Sequence, residues 1–270
     1  MSPAAVLRSG AATLAAPLRS AFARGILDSD ARIGVVDHLD ELRRRLVWSL
    51  MTLGVGFGVA FAYHGELIAL LNEPLQGGEP VTLGIAEPFI TAIKVSAFAA
   101  FLAAFPVLMW HLWRYVAPSV AVHVRRSVAT YVGAGTLLMA GGVAFAYFIA
   151  LPSAVTFLTG FDDHLYDVQV RASEYYVFAC AVMLSVGAVF QLPVVLLALV
   201  RFRILSHALL ANNRKIAYVS LMAIAVLMPG VDPVTTLMWV LPLGVMFEVS
   251  VLLARRVERR AAKRALAEEA

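Results

Sequence analysis

The sequence predicts an all-α membrane protein that crosses the bilayer six times and keeps both termini cytoplasmic. Three observations carry this. The chain is 61% hydrophobic and only 15% charged, with mean hydropathy +0.81, whereas a soluble domain is nearer ~45–50% apolar and ~25% charged. The apolar excess is gathered into six long runs. Basic residues accumulate in every second loop, on one side of the membrane only.

The runs are 46–63, 95–113, 128–152, 175–200, 216–229 and 234–254. A helix of ~20 residues spans a ~30 Å hydrocarbon core, which fits all but the fifth. That run has 14 residues and reaches only ~21 Å at ~1.5 Å per residue. Charge decides in its favour. Seven basic residues precede Leu46, three lie between runs two and three, four between four and five, and six follow run six. Lys94 and Arg171 alone fall on the other side, among nine acidic residues. By the positive-inside rule the side rich in Lys and Arg is cytoplasmic. The bias survives only if run five is a crossing. The turn from Gly230 to Pro233 joining runs five and six is short, so this end of the protein is expected to be thinner than the bilayer.

Ahead of run one, Val35, Leu39, Leu42 and Leu46 recur at helical spacing. Asp37 is a suitable N-cap and Asp40 sits in the first turn. Asp40 and Arg44 are spaced i,i+4, as are Glu41 and Arg45. The stretch reads as an amphipathic helix at a membrane surface. Spacing alone fits equally a helix in which Glu41 merely supports Arg45 and the arginines fix orientation. Residues 1–32 are an Ala-, Ser- and Arg-rich extension without the apolar core of a signal peptide. Their composition also suits an organellar transit peptide; a flexible cytoplasmic extension with weak attraction to anionic lipid is preferred. Residues 33–256 form the six-span core, and 257–270 a charged cytoplasmic tail.

Catalytic chemistry finds no support. There is no GxSxG, HExxH or phosphate-binding loop, and the six histidines are scattered. Cys180 is the only cysteine, so neither a disulfide within the chain nor a cysteine metal site is expected. No enzyme activity and no cofactor are expected, and the basic residues form no single patch for nucleic acid. Gln191 and Glu248 are polar groups inside apolar runs. Such groups are costly in hydrocarbon and face protein or water; each either hydrogen-bonds a neighbouring span or forms a polar patch for a partner helix or a translocating segment. For Glu248, about two turns from the cytoplasmic end, simply reaching toward water is a further reading. Prolines at 106, 193 and 242 are expected to kink their helices into a curved, concave bundle. No internal repeat is visible, which disfavours the alternative of a small-solute or ion transporter.

Several stretches, in order, resemble one family. HLDELRRRL (38–46), EPF (87–89) with Lys94 after it, FPVLMWHLWRYVAPSV (105–120), FAYFIALPSAVTFL (145–158), FQLPVV (190–195), MPGVDP (228–233) and FEVSV (247–251) are similar to TatC, the multi-span subunit of the twin-arginine protein translocase. The resemblance covers residues 33 to 256. It implies a concave six-helix bundle with short fifth and sixth helices in the cytoplasmic membrane. It further implies recognition of twin-arginine signal peptides and transport of folded proteins on the proton-motive force. The implied partners are such precursors, single-span A- and B-type subunits, further copies of the chain and membrane lipid. By the same resemblance Glu41 contacts the arginine pair, with Leu39, Arg43 and Arg45 in the same surface. The family's second acid aligns with Val124, a departure that leaves the two-carboxylate clamp incomplete. Gln191 stands where the family often has Glu. Gln191, Thr235, Thr236, Pro88 and Phe89 are the expected partner contacts.

Overall fold

The computed structural model describes residues 38–75, 79–116, 128–162, 164–165, 168–201, 204–227 and 233–269. The chain divides into two compact units, Met1–Leu50 and Met51–Ala270. The division falls within the first helix, α1, His38–Ala62. Leu39, Leu42, Leu46, Leu50, Val55 and Val59 on α1 are all exposed. Hydrocarbon is as apolar as these side chains, so such exposure suits a membrane-facing helix.

In the second unit α2 (His64–Asn72) and a 3-10 turn, Glu73–Leu75, precede α3 (Glu87–Val116). Then come α4 (Val128–Phe145), a π-helical segment Ala146–Ala150 and α5 (Leu151–Gly160). The chain continues with α6 (Ala172–Val189), α7 (Leu192–Arg201), α8 (His207–Asn212), α9 (Arg214–Leu227) and α10 (Pro233–Glu269). Among the described residues four helical stretches are long and apolar enough to cross a membrane: His38–Ala62, Glu87–Tyr115, Val128–Gly160 and Ala172–Arg201. The fifth expected crossing corresponds to α9, with 14 residues, and the sixth to the first part of α10.

Three of these helices, α3, α4 and α6, pack against one another, and α10 packs on α7 and α9. Small residues set the closest approach, since Gly142 of α4 lies against Gly187 of α6. Trp113 stacks on Tyr131 at 4.6 Å between ring centroids, joining the ends of α3 and α4. The expected effect of proline is seen at Pro193. It has no N–H to donate, and the helix breaks at Phe190–Gln191 just before it. Pro106 and Pro242 lie within helices that continue past them.

Two features of this unit are not evident in the apolar runs. The first is α2, within a segment read as an external loop. Its last turn is met by side chains of other elements. The Tyr175 hydroxyl donates to the Leu71 carbonyl at 2.6 Å, and Tyr176 to Asn72 Oδ1 at 2.7 Å. Tyr147 shares its proton between the Leu70 carbonyl and Glu73 Oε2, each 2.8 Å away. Tyr147 belongs to the π-helical segment, where one extra residue per turn alters side-chain direction. An apolar cavity of about 530 Å³ lies between α2, α3 and α4, with Leu70, Phe98 and Met139 in its wall. The second feature is a parallel β-bridge, Val81 to Arg171, which ties the segment before α3 to the segment before α6.

Candidate functional site

The residues singled out by charge and spacing lie at the start of α1. Asp37 lies outside the described residues. Arg45 donates to Glu41 from both Nε and Nη2, and both bonds fall on the same carboxylate oxygen, Oε1. The spacing of four residues along a helix brings the two side chains together. Side-chain exposure is 26% for Glu41 and 15% for Arg45, lower than for the flanking Leu39, Leu42 and Leu46. Glu41 therefore presents one carboxylate oxygen, Oε2, with no donor among the described residues. The second i,i+4 pair does not form, and no ion pair joins Asp40 to Arg44. Leu39 and Arg43 are exposed, and neither contacts Glu41 through a hydrogen bond. Val124, Arg125 and Arg126 lie outside the described residues.

The residues expected to meet a partner are spread over several elements. Gln191 sits in the break between α6 and α7. Its Nε2 donates to the Gly135 carbonyl of α4 at 3.1 Å, while its buried Oε1 has no donor among the described residues. Gly135 permits this approach, because a Cβ there would stand 3.2 Å from Oε1. Gln191 thus bonds a neighbouring helix, and one polar atom is left over. Phe89 is exposed and meets Phe61 edge-on at 6.4 Å, and Pro88 beside it is exposed. Thr236 is half-buried on α10. The side chain of Thr235 lies outside the described residues. Glu248 does not simply reach for water. It accepts from Tyr218 at 2.6 Å and pairs with Arg214 at 3.2 Å, fastening α9 to α10.

One residue at the other end of the chain's charge ledger has a role that sequence spacing did not reveal. Glu87 opens α3 and is 7% exposed. Its Oε2 accepts from the backbone N–H groups of Leu83 and Gly84, each at 3.0 Å. Its Oε1 accepts from Ser173 N at 3.0 Å and Arg171 Nε at 3.1 Å. The hydrogen bond to Glu87 raises the pKa of Arg171 above its ordinary value. A carboxylate so saturated is a clamp between two segments rather than a proton carrier. The available signal was Arg171, one of two basic residues on a side crowded with acids.

Among the described residues no group of His, Cys, Asp and Glu is arranged to hold a metal ion. The family model described as Sec-independent protein translocase protein (TatC) matches residues 37–242. The Sec-independent protein translocase protein TatC of Desulforapulum autotrophicum is 34% identical over 224 residues, covering 81% of this chain and 83% of that one. Its counterpart in Magnetococcus marinus is 30% identical and covers 90% and 92%. A crystal structure of a twin-arginine translocase receptor, TatC, is similar at a TM-score of 0.72 and 31% identity, covering 80% of this chain and 99% of that one.

Proposed function

The chain belongs to the TatC family of Sec-independent protein translocase proteins, and from that premise we propose that it is the receptor subunit that binds twin-arginine signal peptides. It is a component of a membrane protein translocase. In the proposed role it works with single-span A- and B-type subunits and further copies of itself, moving folded proteins across the cytoplasmic membrane on the proton-motive force. It does so as a six-span core, residues 33–256, with both termini cytoplasmic.

The observation that carries this reading is the Glu41 carboxylate. Arg45 occupies Oε1 alone, so an incoming guanidinium can take Oε2 and share the group rather than displace its partner. Carboxylate and guanidinium match in charge and in the fork of their hydrogen bonds. Exposed ion pairs are worth only ~0–1 kcal/mol; this one is partly buried, so sharing the carboxylate is easier than displacing Arg45. Leu39, Arg43 and Arg45 flank the site. In this role partner helices meet the half-buried Gln191, together with Thr235, Thr236, Pro88 and Phe89.

The test is photo-crosslinking of a twin-arginine precursor to membranes carrying the parent chain or Glu41→Ala. Crosslinking should fall about tenfold, the equivalent of ~1.4 kcal/mol. Undiminished crosslinking that still prefers twin-arginine over twin-lysine signals would reduce Glu41 to a helix-surface residue.

A further inference from the structure

We propose that the charged start of α1 seats the head group of a phospholipid that carries phosphoethanolamine. Asp40, Arg43, Arg44, Val47 and Trp48 line a shallow groove of about 320 Å³. Along a helix rising ~1.5 Å per residue they form three layers. Asp40 comes first, the two arginines ~5 Å further on, and Val47 and Trp48 ~6 Å beyond them. An aminophospholipid has the same order: ammonium outermost, then phosphodiester, then the apolar body.

Each layer suits its counterpart. Guanidinium groups bind phosphate oxygens through paired hydrogen bonds. A carboxylate accepts from a primary ammonium. Trp48 is 57% exposed, and an indole at the start of a span belongs at the level of the head groups. Arg43 and Arg44 make no hydrogen bond or ion pair among the described residues, in contrast to Arg45. Asp40 is likewise uncommitted, although Arg44 lies four residues away. A head group bearing only negative charge would bring its phosphate against Asp40 with nothing to answer that carboxylate. The amine resolves the conflict. This inference stands apart from signal recognition, and because Arg43 belongs to both surfaces the variants are made at Asp40 and Arg44.

The experiment is native mass spectrometry of the delipidated full-length chain. Phosphatidylethanolamine, phosphatidylcholine and phosphatidylglycerol of identical acyl chains are added at equal concentration. The parent should retain the ethanolamine lipid about fivefold over the choline lipid, the equivalent of ~1 kcal/mol. Asp40→Asn should bring that ratio to about one and raise retention of the glycerol lipid. Arg44→Gln should lower retention of all three about fivefold, with Arg44→Lys between it and the parent. Equal retention of choline and ethanolamine lipids by the parent would overturn the proposal, as would a preference that survives Asp40→Asn. A parent that favours the glycerol lipid would make this a plain anionic-lipid site. Displacement by glycerophosphoethanolamine as effective as by the whole lipid would make it a soluble head-group site. Either result also overturns the proposal.

Discussion

Gly142 and Gly187 hold α4 and α6 backbone to backbone: a Cβ built on Gly142 would stand 2.9 Å from the Gly187 Cα and 3.0 Å from the Phe190 ring. Neither neighbour can swing aside, because one is backbone and the other is packed between helices. Gly142→Ala should therefore destabilise the bundle by ~1–3 kcal/mol. A Cβ on Gly187 would instead meet the Met139 sulfur at 2.6 Å, and a thioether side chain adapts. Gly187→Ala should cost less. Thermal unfolding midpoints of the two variants in one detergent check the order, and a lower midpoint for Gly187→Ala would contradict this account.

The Glu87 clamp gives a second expectation. Removing its carboxylate strands three backbone donors, at Leu83, Gly84 and Ser173, whereas removing Arg171 leaves them satisfied. Glu87→Ala should speed amide exchange at those three positions by about tenfold or more. Arg171→Gln should speed it less. Hydrogen exchange read residue by residue decides; equal acceleration in both variants would mean that the ion pair, not the backbone cradle, holds the segments.

These two sites differ in how far the sequence could reveal them. Small residues in an apolar run invite close packing, yet a run lined with many glycines does not say which two will meet. Two of the Glu87 partners, Arg171 and Ser173, lie 84 and 86 residues away, beyond any helical or strand periodicity. The Glu41–Arg45 pair was legible because both residues share one helical face. The four crossings seen among the described residues were legible from apolar length, but helix ends were not. A helix continues through polar turns as long as its backbone bonds are met, so α3 begins at Glu87 where the apolar run begins at Val95. α2 was not legible because its nine residues are too few for a span, and its last turn is held by tyrosines far along the chain.

Gln191 supplies a third expectation. Its Nε2 is used within the bundle and its Oε1 is not. Gln191→Leu should therefore lose a single interhelical bond, worth ~0.6 kcal/mol in such settings, and leave the fold intact. The proposed contact with a single-span partner requires the amide at this half-buried position. Site-specific crosslinking of that partner should drop while precursor crosslinking at Glu41 persists. An unchanged partner pattern would assign Gln191 to bundle packing alone.

The last expectation concerns the acid that this chain lacks. Val124 stands where the resemblance places a second carboxylate, so in the proposed role recognition of an arginine pair rests on Glu41, and Glu41 gives half its capacity to Arg45. Two incoming guanidinium groups then compete for one free oxygen. Val124→Glu adds a carboxylate beside Arg125 and Arg126, whose charges keep it ionised. A second charge-assisted contact is worth ~1.5–3 kcal/mol when well placed, but neighbouring arginines will claim part of that. Precursor binding should strengthen about fivefold, ~1 kcal/mol. The decisive comparison is the double variant. If the two acids form one surface, Val124→Glu should restore part of the binding lost in Glu41→Ala, and only for twin-arginine signals. Precursor photo-crosslinking across the four chains reads this directly. Rescue that extends equally to a twin-lysine signal would mark the new carboxylate as a general attractor of cations, and the absence of any rescue would separate position 124 from the Glu41 surface.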